Sequence, residues 1–219
     1  PVFIAIDRAG LVGSDGETHQ GVFDLSFLLE IPNLTILSPK NRWEMADMVR
    51  YCVEFQYPVA LRYPRGAAYE GLEEFRAPIR YGKSETIYQG KEIAILFVGH
   101  MSETAEKVYL SLRQAGYDGT LINARFVKPL DTERIDELAA DHHLLITIEE
   151  NILTGGFGEQ VTSYVMQKNL TMKVQNFGIA DEYVEHGNVE VLRKEVGLDP
   201  ETIVEKTVDV YEKILLTRE

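Results

Sequence analysis

Cysteine is nearly absent from this sequence: Cys52 is the only one among 219 residues. A single thiol excludes an internal disulfide and any zinc site built from several cysteines, and it is typical of a reducing compartment. We therefore predict a cytoplasmic protein. Because no basic residue stands directly beside Cys52 to lower the pKa of its thiol, we interpret this cysteine as core filling.

Long hydrophobic runs and an excess of positive charge are also lacking. No apolar run approaches the ~18 residues that span a bilayer. Lys and Arg number 22 against 35 Asp and Glu, which gives a formal net charge of -13. Because this charge repels nucleic acid and anionic membrane surfaces, neither is expected as a partner.

Segments with strand and helix patterns alternate along the chain, which is typical of α/β folds with mostly parallel sheets. Residues 67–90 show no sustained period and contain several glycines, so they are interpreted as a linker. We predict two α/β units, at residues 1–66 and 91–219. The apolar run Val2–Ile6 is typical of a strand buried on both faces, and we therefore expect further chain before Pro1.

Ser38 and Pro39 predict a helix start, because serine is a favoured N-cap and proline a favoured first helical residue. The helix is predicted to run to about Phe55. Apolar residues spaced three or four apart predict one buried face beside Cys52, formed by Trp43, Ala46, Val49 and Val53.

The densest polar cluster, residues 7–21, follows the first predicted strand. Ligands of open α/β sheets bind at the carboxyl ends of strands. His19 is able to transfer a proton near neutral pH, and Asp15 is spaced to orient it. The alternative is a surface loop with a structurally satisfied histidine, and the residue types alone leave both interpretations open.

Two arginines are predicted at the same edge of the sheet. Arg8 follows the first strand and Arg65 follows the third, and parallel strands bring their carboxyl ends together. Two guanidinium groups suit a phosphate dianion, because each donates a bidentate pair of hydrogen bonds. The alternative is that each arginine pairs with a neighbouring acid such as Asp7. Arg62 points to the opposite face of its strand and is a weaker candidate.

Other polar residues receive structural interpretations. Glu149 and Glu150 are adjacent in a strand and face opposite ways, so they cannot form one acid/base pair, and we expect helix-end pairing or solvation. The glycines of residues 154–158 are interpreted as close packing of a helix start, because the lysine of a P-loop is absent. No metal site is expected, and four histidines are interpreted as structural: His100, His142, His143 and His186.

A series of motifs runs through the chain in order: DRAGLVG, DGETHQG, FDLSFL, RYPRG, NARFVKPLD, EEN with GGFG, and EHG. The series closely resembles the 1-deoxy-D-xylulose-5-phosphate synthase family, which belongs to the transketolase superfamily of thiamine diphosphate enzymes. The resemblance implies an incomplete pyrimidine-binding-type domain at residues 1–66 and a transketolase C-terminal-type domain at residues 91–219.

This family condenses pyruvate with D-glyceraldehyde 3-phosphate to give 1-deoxy-D-xylulose 5-phosphate and carbon dioxide. By position, the resemblance implies that Arg8 and Arg65 hold the phosphate of the aldehyde. It further implies that His19 donates a proton at the reacting oxygen and that Asp15 supports the site or contacts the substrate. A homodimer is also implied.

The resemblance also implies parts that this chain lacks. The family holds its cofactor diphosphate and Mg²⁺ with a GDG…N segment, which does not occur here, and its activating glutamate would precede Pro1. We therefore predict the C-terminal portion of a synthase, which holds no thiamine diphosphate or Mg²⁺ by itself, needs the N-terminal portion as partner and is inactive alone. The alternatives are another superfamily member, such as transketolase or the beta subunit of the first component of pyruvate dehydrogenase, or a non-catalytic assembly or dimerisation module.

Overall fold

Nine strands make up the sheets of residues 1–217, the part of the chain that the computed structural model describes. In chain order they are β1 (Phe3–Ile6), β2 (Thr35–Leu37), β3 (Val59–Arg62), β4 (Glu85–Tyr88), β5 (Glu92–Phe97), β6 (Gly119–Asn123), β7 (Phe126–Lys128), β8 (His142–Ile152) and β9 (Lys173–Ile179).

Helices connect most of these strands. They are α1 (Asp24–Leu29), α2 (Arg42–Glu54), α3 (Ser102–Gln114), α4 (Thr132–Asp141), α5 (Phe157–Gln167), α6 (Val189–Glu195) and α7 (Pro200–Leu216). Short 3-10 turns lie at Gly13–Asp15 and Gly99–Met101. None of these helices combines the length and the apolar character that a membrane span requires.

The strands form two sheets, each mostly parallel. In the first sheet, of order β1-β3-β2-β7, the first three strands are parallel and β7 is antiparallel. In the second, of order β4-β6-β5-β8-β9, β4 is antiparallel to the rest. Parallel strands connected through helices confirm the predicted α/β class with two mostly parallel sheets.

Two strands cross the predicted division between the units. β4 lies inside the segment predicted as a linker, where it completes the edge of the second sheet by pairing with β6. β7 belongs to the second half of the sequence but pairs with β2 of the first sheet. The linker prediction is therefore corrected at β4, and the unit boundaries at residues 66 and 91 stay a prediction.

β1 is more exposed than its sequence predicts. Ile4, near its centre, is 40% exposed, so the prediction of a strand buried on both faces was wrong. In the described part of the chain β1 pairs with β3 and stands at the end of the strand order. The apolar side chains of Val2 and Phe3 consequently also lie at the surface.

Helix α2 begins later than predicted. Its N-cap is Asn41, whose side chain accepts a hydrogen bond of 3.0 Å from the Glu44 amide. The predicted cap, Ser38, instead donates its hydroxyl to the Arg62 carbonyl. The prediction of a start at Ser38 was therefore wrong, because the serine hydroxyl is used between strands.

The buried face of α2 also differs from the prediction. It consists of Glu44, Met48 and Cys52, spaced four residues apart. Val53 is 69% exposed and Ala46 is also at the surface, so the predicted apolar stripe was wrong. Burial raises the pKa of the Cys52 thiol to about 11, and the interpretation of Cys52 as core filling is confirmed.

A buried ion cluster joins the two sheets and explains why α2 turns Glu44 inward. The Glu44 carboxylate accepts hydrogen bonds from Lys40 Nζ at 3.1 Å and from Arg125 Nε at 2.8 Å. Glu85 of β4 lies 2.7 Å from Lys40 Nζ and 2.8 Å from a terminal nitrogen of Arg125. We call these four residues the junction cluster. Its two cations and two anions compensate one another away from water.

Candidate active site

The first candidate site lies at the carboxyl ends of β1 and β3. These strands are parallel neighbours, so the loops that follow them leave the sheet side by side. A backbone hydrogen bond of 3.0 Å from the Ala9 amide to the Tyr63 carbonyl keeps the loops together. Arg8 and Arg65 therefore reach the same edge of the sheet.

One carboxylate lies between the two arginines. Asp15 Oδ2 accepts a hydrogen bond of 3.3 Å from Arg8 Nε and contacts a terminal nitrogen of Arg65. Hydrogen bonding from Arg65 lowers the pKa of Asp15, and Arg8 adds to this effect. Arg8 also pairs with Asp7 at 3.0 Å, as the alternative interpretation predicts. We call Arg8, Asp15 and Arg65 the rim site; its arginine side chains are 39% and 53% exposed and accessible to a ligand.

His19 belongs to the same loop as Asp15. The His19 imidazole is exposed, and its Nδ1 forms a hydrogen bond of 2.9 Å with the Thr18 hydroxyl. This partner lies outside the rim site. The base of the loop is closed at Gly21, whose amide donates to the Arg8 carbonyl at 2.9 Å. A Cβ on Gly21 would lie 2.3 Å from that carbonyl oxygen, so the close approach requires glycine.

A cleft of about 490 Å³ opens between the two sheets beside the rim site. Arg65 lines it from the first sheet, and residues after β5 and in α6 line it from the second. We call it the inter-sheet cleft. Its volume is typical of small-molecule sites. The lining mixes apolar, aromatic and charged side chains, among them Leu11, Met45, Tyr63, Arg65, Tyr69, His100, Glu150 and Arg193.

Glu150 anchors one wall of the inter-sheet cleft. Its buried carboxylate accepts hydrogen bonds from the Leu11 amide at 2.9 Å and from Arg193 Nε at 2.6 Å. It also lies 2.7 Å from His100 Nε2. Burial raises the pKa of Glu150, but the charges and hydrogen bonds of His100 and Arg193 outweigh burial and lower it to about 2. Glu150 is therefore an ionised acceptor that fixes its three donors.

Comparison with known families agrees with this architecture. Residues 82–203 match the C-terminal domain of transketolase, and residues 1–70 match the transketolase pyrimidine-binding domain. The first match alone covers more than half of the chain. The chain belongs to the transketolase family.

Relatives of this transketolase-family chain include 1-deoxy-D-xylulose-5-phosphate synthases from three bacteria. Those of Lachnoclostridium phytofermentans, Shouchella clausii and Clostridium tetani are 47%, 44% and 42% identical over 94%, 95% and 95% of this chain. The chain spans about a third of the length of these relatives. The resemblance found in the motifs is thereby confirmed.

Solved structures share the fold. One is a split-gene transketolase that is described as an inactive beta4 tetramer, where beta4 does not refer to a strand. It matches with a TM-score of 0.83 and 24% identity over 98% of this chain and 66% of that chain. Transketolase from Campylobacter jejuni matches with a TM-score of 0.73 and 15% identity over 94% of this chain and 31% of that one. At these identities the likeness concerns the fold alone.

Glu149 of this transketolase-family chain caps a helix instead of pairing with Glu150. Its carboxylate accepts hydrogen bonds from the amides of Phe157 and Gly158, at 2.9 and 2.7 Å, at the start of α5. Burial raises the pKa of Glu149 to about 7, against the effect of these amides. Helix-end pairing is confirmed for Glu149, whereas the expectation of solvation was wrong, because both glutamates are buried.

Two further predicted residues have structural partners. Arg62 is buried and faces away from the rim site, with its Nε 2.9 Å from Asp24 and a terminal nitrogen 3.0 Å from the Glu150 carbonyl. His142 is buried, with Nε2 2.8 Å from the Thr120 hydroxyl. Both therefore serve the core, as their sequence positions predict.

The sequence interpretation missed the surroundings of His100, which lines the inter-sheet cleft together with Arg193. The signal that identifies them is the strand order. β5 is flanked by β6 on one side and β8 on the other, and the crevice at such a switch point is a common ligand site. Strand order cannot be read from strand patterns in a single sequence.

The described residues do not fit the metal that the resemblance implies. Within residues 1–217 no three His, Cys, Asp or Glu side chains are grouped as metal ligands. The match of residues 1–70 is to a pyrimidine-binding domain, which is consistent with a thiamine diphosphate enzyme. Because the described residues do not fit the metal, no step of cofactor chemistry is assigned to them.

Proposed function

We propose that this chain is the C-terminal third of a 1-deoxy-D-xylulose-5-phosphate synthase, a cytoplasmic, homodimeric transferase that condenses pyruvate with D-glyceraldehyde 3-phosphate and releases carbon dioxide. Identities of 40–47% to such synthases over at least nine tenths of the chain support this choice. The structural observation that carries it is the convergence of Arg8 and Arg65 on one anion, the Asp15 carboxylate.

In this proposal the rim site binds the phosphate of the aldehyde. The phosphate dianion replaces the Asp15 carboxylate between the two guanidinium groups, each of which can donate two parallel hydrogen bonds. Holding the phosphate fixes the aldehyde carbonyl in one place. The contribution of Arg8 and Arg65 is then catalysis by positioning.

His19 is proposed as the proton donor at the reacting oxygen. When the Thr18 hydroxyl donates to Nδ1, the proton of the neutral imidazole lies on Nε2 and is available to a substrate. The loop that carries Asp15 also carries His19. The proposed phosphate site and the proposed proton donor therefore share one loop.

The chain alone is proposed to be inactive. In the complete enzyme thiamine diphosphate with Mg²⁺ supplies the chemistry that decarboxylates pyruvate, and the proposal assigns both to the N-terminal portion. A solved chain of the same fold, the split-gene transketolase, is itself described as an inactive tetramer.

A second candidate is one subunit of an enzyme encoded in two parts, with assembly as its separate role. The observation in its favour is that the split-gene transketolase covers 98% of this chain, whereas this chain spans about a third of the synthases. If the two-part enzyme is a transketolase, it differs from a synthase in substrate. A synthase releases carbon dioxide from pyruvate only when the aldehyde is present, whereas transketolase activity does not consume pyruvate.

The test is to combine the chain with the N-terminal two thirds of the L. phytofermentans relative and to measure carbon dioxide and sugar phosphate products. Aldehyde-dependent release is expected from the pair and none from the chain alone. Arg8→Gln and Arg65→Gln should raise KM for the aldehyde at least ~10-fold without changing KM for pyruvate. Arg50→Gln, an exposed arginine paired with Asp47, is the control. Carbon dioxide release that ignores the aldehyde would refute the proposal.

A further inference from the structure

The inter-sheet cleft lies at the carboxyl ends of β5 and β8 in the second sheet. The chain leaves β5 toward β6 on one side and returns in β8 on the other, so the strand order diverges at β5 and β8. His100 follows β5, and Glu150 lies in β8, beside this point. Ligands of open α/β sheets bind in the crevice at the carboxyl ends of strands where the order diverges. Both residues line the cleft.

Arg193 presents an oriented guanidinium to this cleft. Its Nε is held at 2.6 Å by Glu150, which is ionised and buried. Its two terminal nitrogens have no partner among residues 1–217, and the side chain is partly exposed. A guanidinium fixed at one nitrogen and open at two others matches the bidentate geometry of a phosphate group.

His100 adds a second polar feature at the same wall. Its side chain is 9% exposed, and its Nε2 is engaged by Glu150. Its Nδ1 is buried and has no hydrogen-bond partner among the described residues. Buried polar atoms without a protein partner are typical of sites that hold water or a ligand.

We propose that the inter-sheet cleft binds a small phosphorylated organic compound, with its phosphate on Arg193 and its carbon part against the wall of Leu11, Met45 and Tyr63. The cavity of about 490 Å³ is much larger than a phosphate ion, and that wall is apolar and aromatic, so the ligand carries an organic part. The cleft shares Arg65 with the rim site, but neither Arg8 nor Asp15 lines it, and the proposed phosphate contact is Arg193 of the second unit, so this site goes beyond the proposed condensation.

The test follows the ring-proton NMR signals of His100, assigned with His100→Gln, while the chain is titrated with ribose 5-phosphate, ribose or inorganic phosphate. Ribose 5-phosphate should shift them in a saturable manner, and ribose should not. Arg193→Gln should weaken this binding at least ~10-fold, as expected for lost hydrogen bonds to a charged group. Because Arg193→Gln also removes a partner of Glu150, a second variant, Ala68→Trp, fills the cleft at an exposed alanine. It should weaken binding equally.

The controls separate this site from the rim site. Ala46→Trp adds the same ring at an exposed alanine outside the cleft and should leave binding unchanged. Arg8→Gln should also leave the His100 shifts within ~2-fold of the original affinity, whatever it does to aldehyde turnover. The proposal is overturned if ribose 5-phosphate leaves His100 unshifted, if ribose alone shifts it equally, or if Arg8→Gln abolishes binding while Ala68→Trp does not.

Discussion

The junction cluster and the rim site use the same chemical groups with different degrees of burial. In the junction cluster Lys40 and Arg125 share the carboxylates of Glu44 and Glu85 away from solvent. In the rim site two half-exposed arginines share one carboxylate. A buried charge needs its partner at all times, whereas an exposed guanidinium can exchange one anion for another at little cost. Burial therefore separates the ion cluster that holds the fold from the one that we propose as a ligand site.

The largest effect expected is at the junction cluster. Glu44→Gln keeps the shape of the side chain but leaves Lys40 and Arg125 buried with one anion. We expect the free energy of unfolding to fall by about 3–5 kcal/mol, the usual cost of breaking a buried ion pair. Urea denaturation measures it. Glu54→Gln, at the exposed end of the same helix, should change it by less than about 0.5 kcal/mol. Equal effects of the two variants would remove the contrast based on burial.

A further carboxylate, that of Glu150, is buried like those of the junction cluster but faces a cleft. Gly10 has a φ of +73°, and a Cβ there would lie 2.0 Å from Glu150 Oε2. Gly10→Ala should therefore cost about 2–4 kcal/mol in urea denaturation, from backbone strain and displacement of the carboxylate. Gly116→Ala, with a φ of +91° and no neighbour within 4 Å, should cost about 1 kcal/mol from strain alone. A similar cost at both glycines would mean that the position of Glu150 is not fixed.

The rim site could be predicted from the sequence because its parts are local. Arg8 and Asp15 lie in one loop, and parallel pairing of β1 and β3 brings Arg65 to the same edge. The sequence does not show which atoms meet. Asp15 lies between the arginines, and His19 bonds to its neighbour Thr18.

The junction cluster could not be predicted in this way. Its members come together because β4 and β7 cross between the units, and neither crossing has a sequence pattern. The prediction that apolar residues form the buried face of α2 was wrong for a related reason. It places Glu44 on the outer face as a polar residue, whereas Lys40 and Arg125 compensate its charge inside.

Glu149 and Glu150 are adjacent in β8 and both buried, but their pKa values are shifted in opposite directions, so they make stability depend on pH in two different ranges. The pKa of Glu149 is raised from 4.5 to about 7 in the folded chain, so its contribution to stability is complete below pH 4.5 and is lost as the pH rises to 7. The pKa of Glu150 is lowered from 4.5 to about 2, so its contribution is present above pH 4.5 and is lost as the pH falls toward 2.

Glu149→Gln should remove most of the decline in stability between pH 4.5 and 7, about 2–3 kcal/mol for a shift of this size. Urea denaturation at several pH values measures the slope, with Glu54→Gln as the exposed control. A slope that survives Glu149→Gln would assign the titration to another group. Retention of stability down to pH 2 would contradict the lowered pKa of Glu150.

The smallest effect expected concerns exchange at the rim site. Asp15→Asn keeps the side-chain shape but removes the charge that competes with phosphate for Arg8 and Arg65. Because an exposed ion pair contributes little, inorganic phosphate should bind only ~2- to 5-fold more tightly, as measured by calorimetry at fixed ionic strength. The gain should vanish when Arg8→Gln is added, and Asp7→Asn, which frees one arginine only, should give less. Weaker binding in Asp15→Asn would mean that the carboxylate organises the arginines as Glu44 does, and the functional difference between the two clusters would no longer follow from burial.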